Sequence, residues 1–197
     1  MALGRAHQGG RAVGLVGAPG CAALNFAPAV TEAFYQQVPL LVFTADRPPE
    51  WIDQQDNQAI HQNNLYAPHV RASYTLPIDD GRSDTRWFAA RLMTEAIQQT
   101  GWLTPGPVHI NAPLTEPLYS ATSQRPAYTT LKIAHNATSA LNLSDESWRA
   151  LLAEWAQAER KLIIGGQHHP ASRLIAAVRS LSADPTPAGN RGIPPHP

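Results

Sequence analysis

Arg47 stands between an apolar run and a pair of prolines, in Asp46-Arg47-Pro48-Pro49-Glu50. A guanidinium held at the exit of a strand by proline-restricted backbone can grip a carboxylate through two parallel N–H···O bonds. The same residues also permit a local ion pair of Arg47 with Asp46 or Glu50, and the segment alone leaves both readings open. Further along come Asn57-Gln58-Ala59-Ile60, followed by His61 and Gln62. Primary amides at the start of a helix can read a polar heterocycle, since each carries donors and an acceptor, or they can cap the helix. His61 has the right basicity for proton transfer but no oriented partner in the sequence. A third segment, Gly17-Ala18-Pro19-Gly20-Cys21, is a glycine-rich turn that can bring backbone N–H groups toward an anion at a helix start. It is neither a GxGxxG fingerprint nor a Walker loop, and a close-packed turn is the competing reading. Cys21, the single cysteine, has no base beside it and is expected as a buried structural thiol.

Other chemistries are excluded or lack support. One cysteine permits neither an internal disulfide nor a cysteine metal cluster. The eight histidines show no HExxH and no paired spacing, so they read as surface or capping residues. No paired carboxylates and no nucleophile elbow stand out, so no catalytic residue and no metal ligand is assigned. The 15 basic and 15 acidic side chains cancel, and the arginines are scattered, which points away from nucleic acid and from anionic membrane. No apolar run reaches the roughly 20 residues of a membrane span, and no signal-peptide core follows Met1, so a cytoplasmic location is expected.

The segments that carry these residues must be positioned by an α/β framework. Residues 12–18 read as a buried strand, and the stretch from Cys21 to Gln37 as a helix in which Pro28 marks either a kink or the true first turn. Residues 38–45, VPLLVFTA, form a continuous apolar run, as a central parallel strand does. Two prolines then take the chain out of the sheet. Residues 57–66 read as a short helix and 70–76 as a third strand. Residues 84–100 are the clearest helix, with Asp84 as N-cap, Trp87, Ala90, Met93 and Ile97 on the apolar side, and Gly101 as the stop. Residues 107–111, PVHIN, read as a fourth strand. Alternating strands and helices predict a mostly parallel sheet with helices on both faces.

After residue 119 the character changes. Residues 120–143, with Pro126, are expected to be a connector between domains. A second α/β unit over 144–184 would begin with a helix at 144–158, capped by Ser144 and carrying Trp148, Leu151, Leu152 and Trp155. A strand at 161–165, KLIIG, and a helix at 170–181 with Ile175 and Val178 inward would follow. Residues 185–197 are proline-rich and expected to be disordered.

At these segments a family resemblance emerges. PLLVFTADRPPEWIDQQDNQAIHQ at 39–62 and GPVHINAPLTEPLY at 106–119 resemble the 2-succinyl-5-enolpyruvyl-6-hydroxy-3-cyclohexene-1-carboxylate synthases, thiamine-diphosphate transferases of menaquinone biosynthesis. The resemblance runs over about residues 2 to 184 and covers part of the family's length. It implies that residues 1–119 are a pyrimidine-binding domain lacking its first strand and helix, with the start of a middle α/β domain at 144–184. It also implies thiamine diphosphate with a magnesium or manganese ion as cofactor, isochorismate and 2-oxoglutarate as substrates, and a homo-oligomer, dimer or tetramer. In such synthases 2-oxoglutarate is decarboxylated on the cofactor, and the acyl-anion equivalent adds to isochorismate. Carried over, Gln58 and Asn57 match residues beside the cofactor, and Arg47 matches an arginine that engages a substrate carboxylate.

Departures from the family pattern are equally specific. The family's catalytic glutamate lies before the segment that opens here as ALGRAHQ, and its metal-ligating aspartate and asparagine lie in a diphosphate-binding domain beyond the matching segment. At 18–21 the family's threonine-serine-glycine-threonine is Ala18-Pro19-Gly20-Cys21, which removes hydroxyl donors and one backbone N–H. The expectation is a fragment inactive by itself. The alternatives are one component of a split enzyme and a non-catalytic α/β binding module.

Overall fold

The computed structural model describes residues 1–116, 142–164 and 172–182. The chain divides into two compact units, Met1–Ala137 and Thr138–Pro197. In the first, helix α1 (Ala2–Gly9) precedes strand β1 (Val13–Gly17), the short helix α2 (Cys21–Leu24) and helix α3 (Ala27–Tyr35). Strand β2 (Leu40–Asp46), a 3₁₀ turn at Pro49–Trp51, strand β3 (Ala72–Thr75), helix α4 (Ser83–Gln99) and strand β4 (Pro107–Pro113) complete it.

The four strands form one sheet in the order β1-β2-β4-β3, every neighbouring pair parallel. Strand periodicity divides β2 between two cores. Leu40 and Val42 are fully buried against Ala6, Val30, Ala33 and Tyr66, whereas Leu41 and Phe43 turn to the opposite face, where Met93 and Ala96 of α4 pack with Val108 and Ile110. The sheet is therefore flanked by helices on both faces. α1 was not foreseen; its Ala6 and Leu3 reach the first core.

Several local expectations are corrected. β1 is an edge strand rather than a buried one: only Gly17 is buried, and Val16 is 80% exposed. β2 alternates fully and partly buried residues instead of being buried throughout. The single helix expected from Cys21 breaks at Asn25–Phe26, and Pro28 lies in the first turn of α3, where its missing N–H has no helical acceptor to lose. Residues 57–66 form turns, not a helix, with Gln58 and Asn64 at positive φ. α4 is capped at Arg82 with no side-chain bond, and Asp84 sits in its first turn; Trp87 is 66% exposed rather than inward. Cys21 is exposed, not buried, because it opens a short surface helix. His109 contradicts the surface reading of the histidines, being wholly buried in β4.

In the second unit, α5 (Asp145–Gln157) starts as expected: Ser144 Oγ accepts the backbone N–H of Ser147. Lys161–Ile164 are not a strand. Helix α6 (Ser172–Ser182) follows, and its Ile175 is 41% exposed rather than inward. The connector at 120–141, Gly165 to Ala171, and the tail at 185–197 lie outside the described residues. Among the described residues no helix is long and apolar enough to cross a membrane.

Candidate functional site

In a parallel sheet every strand ends on the same side, and the loops leaving those ends gather there. Here they are the turn at 18–20 after β1, the long excursion from Arg47 after β2, and the residues after Pro113 of β4. All three segments singled out in the sequence arrive at this edge.

Arg47 leaves β2 with its backbone N–H bonded to Asp46 Oδ1 at 2.8 Å. Its guanidinium pairs with neither Asp46 nor Glu50. Instead Nε lies 2.9 Å from Asp56 Oδ2, Nε also donates to the Asn57 carbonyl at 3.3 Å, and Nη1 meets Glu116 Oε1 at 3.4 Å. The local pairing considered above is thus replaced by partners from two other segments, which no spacing rule in the sequence indicates. The Asn57 side chain is exposed, and only its backbone holds Arg47. Gln58 is also exposed, with φ of 60°, and its backbone lies against Gly20. Gly20 has φ of 75°, and a Cβ added there would lie 2.8 Å from the Gln58 carbonyl oxygen. The turn at 18–20 is therefore a close-packed one, seated on the 57–58 segment.

Beneath the loops runs a chain of buried polar side chains. Asp46 Oδ2 accepts from Asn111 Nδ2 at 2.6 Å. That bond orients the amide, so Asn111 Oδ1 faces inward and accepts from Thr44 Oγ1 at 2.9 Å and from Gln62 Nε2 at 2.9 Å. The one Thr44 proton is then used, so the 2.8 Å contact between Thr44 Oγ1 and His109 Nε2 requires His109 to donate. The opposite nitrogen, Nδ1, accepts from Ser73 Oγ at 3.1 Å. His109 is the neutral Nε2–H tautomer: burial pushes its pKa down from 6.5 to about 4. Tyr66 lies edge-on to the imidazole at 4.8 Å, and burial pushes its phenol up to about 12. Gln62, 1% exposed, completes the chain: Nε2 also donates to the Ala45 carbonyl at 2.8 Å, and Oε1 accepts the Gly20 N–H at 2.7 Å. One side chain thus ties together the turn after β1, the exit of β2 and the end of β4.

Above this floor is a cleft of about 280 Å³, lined by Asp46, Arg47, Ile52, Ile60, Gln62 and Asn111 among others. Asn57, whose carbonyl meets Arg47 Nε, and Gln58, which lies against Gly20, are not part of the lining. His61 is at the rim, and its Nε2 lies 3.0 Å from Asp53 Oδ1, a partner the sequence had not indicated; both side chains are mostly exposed. Arg47 can read a carboxylate, whereas the amides in the lining are committed to the floor: both Gln62 Nε2 protons go to Ala45 and Asn111, and Asn111 Oδ1 accepts from Thr44 and Gln62. Among the described residues no group of three His, Cys, Asp or Glu side chains could hold a metal ion.

Thr44, His109 and Asn111 carry no site signature of their own along the chain, and Gln62 stands out there only as one more amide after Asn57 and Gln58. Taken together, a signal was present in outline, since His109 and Asn111 are polar at i and i+2 of a strand and so share one face. A buried polar face in an otherwise apolar strand needs partners.

No family model matches the chain. Individual proteins do. The 2-succinyl-5-enolpyruvyl-6-hydroxy-3-cyclohexene-1-carboxylate synthase of Cytophaga hutchinsonii is 38% identical over 168 residues, 85% of this chain and 30% of that protein. The synthase of the same name from Porphyromonas gingivalis is 37% identical over 189 residues, 94% of this chain and 32% of that protein. That of Desulfotalea psychrophila is 36% identical over 188 residues, 94% and 34% respectively. This chain is homologous to these synthases over most of its own length and spans about 30% of theirs.

Proposed function

We propose, from a chain homologous to one part of the 2-succinyl-5-enolpyruvyl-6-hydroxy-3-cyclohexene-1-carboxylate synthases, that it carries the cofactor-pyrimidine and substrate-carboxylate side of that enzyme's site without the diphosphate side. The identity of 38% over 168 residues carries this reading. The position of Arg47 in the cleft at the carboxyl edge of the sheet, beside the segment that carries Asn57, supports it. In this reading residues 1–119 are a pyrimidine-binding domain and 144–184 belong to a middle domain. Arg47 grips a carboxylate of isochorismate or 2-oxoglutarate. Asn57 and Gln58 stand beside the cofactor ring. Thiamine diphosphate, when bound, supplies the electron sink for decarboxylation; this chain's residues orient a substrate and wall off one side of the site. The whole reaction needs groups that the described residues do not provide, so the isolated chain is expected to be inactive.

Two measurements test this. The pure chain, given thiamine diphosphate, magnesium ion, 2-oxoglutarate and isochorismate, is expected to form no product, and turnover would overturn the inactivity. Grafted in place of the aligned segment of the Porphyromonas gingivalis synthase, it is expected to support turnover. In that chimera R47Q should raise KM for a carboxylate substrate about tenfold or more, the scale of a lost charge-assisted bond. A folded, active chimera indifferent to R47Q would remove Arg47 from the site.

A further inference from the structure

The guanidinium of Arg47 is not waiting open. Its Nε is committed to Asp56 Oδ2 at 2.9 Å and to the Asn57 carbonyl at 3.3 Å. A carboxylate arriving from the cleft cannot use the side-on pair of Nε and Nη. It has the end-on pair, Nη1 and Nη2, which presents the second parallel fork of a guanidinium. Nη1 is the atom that Glu116 Oε1 approaches, at 3.4 Å, while Nη2 has no partner among the described residues. The two acids differ in how firmly they are held. The Asp56 side chain is 30% exposed and meets Nε at good distance; that of Glu116 is 74% exposed and meets Nη1 at long distance. Asp56 is also pinned from its other oxygen, because Oδ1 accepts the Asn57 backbone N–H at 2.9 Å. Glu116 has no second bond among the described residues.

We propose that Glu116 is a resident carboxylate at Arg47 that sets the site's selectivity. A small carboxylate ligand must displace it from Nη1, while Asp56 stays and keeps the guanidinium aimed. The proposal rests on the reading of Arg47 as a carboxylate grip and adds to it the group that competes for that grip. An exposed ion pair of this kind is weak, so displacement needs only a ligand able to engage both Nη atoms at once. A monodentate or neutral ligand gains nothing over Glu116 and is turned away. Discrimination therefore comes from the competing charge as well as from the attractive one. Glu116 is a specificity residue in this scheme, and Asp56 is a positioning residue.

The test uses the full chain and 2-oxoglutarate as probe, with binding followed by titration calorimetry and by the backbone amide shifts of Arg47 and Asn57. E116Q is expected to bind about fivefold more tightly than the unaltered chain, which is what removing a pair worth about 1 kcal/mol yields. D56N should bind more weakly, since the fork loses its aim. The double variant R47Q/E116Q should show no gain over R47Q, because the effect of Glu116 is routed through Arg47. Equal or weaker binding by E116Q would overturn the proposal and leave the Arg47 reading standing. So would a gain that persists in R47Q/E116Q, since it would report only a general change of charge. No binding by either the unaltered chain or E116Q would sink both readings together. Glu116 is largely exposed, so an unchanged thermal transition of E116Q serves as the check that the fold is intact.

Discussion

His109 makes one residue responsible for a defined part of the pH response. Its folded pKa is about 4 against 6.5 unperturbed, so the unfolded chain takes up the proton first as pH falls. Its stabilising contribution is therefore complete above about pH 6.5, declines as the pH drops, and is exhausted near pH 4. The loss is on the order of 3 kcal/mol. Denaturant titrations at pH 7 and pH 4.5 should show H109Q less stable than the natural chain at pH 7, with the gap narrowing at pH 4.5. A gap independent of pH would mean that the imidazole is not held neutral. Gly20 makes a second prediction at this scale. With φ of 75° and the Gln58 carbonyl 2.8 Å from where a Cβ would sit, G20A is strained by both backbone and contact. It should lower the stability by about 1–3 kcal/mol, seen as a lower denaturation midpoint with an unchanged slope.

Among the elements, the carboxyl ends of β1, β2 and β4 are joined not by the ladder alone but by Gln62. Replacing it with leucine preserves bulk but orphans the buried Gly20 N–H and the Ala45 carbonyl. The cost is expected to be about 1–3 kcal/mol for each group that water cannot reach. Q62L should therefore be clearly less stable, and amide exchange should speed up most at Gly20. Uniform destabilisation, with no local change at that turn, would show that the side chain only fills space. Q62E keeps an acceptor toward Gly20 but loses both donor bonds and sets a buried carboxylate oxygen against the Ala45 carbonyl and Asn111 Oδ1, so it is expected to destabilise at least as much as Q62L at neutral pH. The edge strand β1 differs in kind. Its Gly14 and Val16 lie on the face where Leu41 and Phe43 are only partly covered, so this end of the sheet has fewer contacts to lose.

For the whole molecule, the two units have unequal claims to a core. Met1–Ala137 contains both buried clusters, whereas the described part of the second unit has no buried residue, and Trp148, Leu151, Leu152 and Trp155 along α5 are all at least 37% exposed. An amphipathic helix without cover has little beyond its cap and propensity to hold it. Native-state hydrogen exchange should find the slowest amides in β2 and β4, and amides of α5 exchanging orders of magnitude faster. Comparable protection in α5 would mean that its apolar side is covered in solution.

The run VPLLVFTA, the pattern of strand and helix segments and the Ser144 cap determined the parallel α/β class and the start of α5 from the sequence by itself, because periodicity and capping are local properties of consecutive residues. The segment ADRPPE likewise placed Arg47 at a strand exit, since two prolines can only leave a ladder. The partners of Arg47 were decided by tertiary structure alone: Asp56 and Glu116 come to it from 9 and 69 residues away. The same holds for the helix expected at 57–66, which gave way to turns once Gln62 was drawn inward to bond Gly20, Ala45 and Asn111. It holds too for His109, whose burial depends on Thr44, Ser73 and Tyr66 arriving from three other segments. Hydrogen-bond partners and desolvation depend on which segments the fold brings together across space, and spacing along the chain does not encode that.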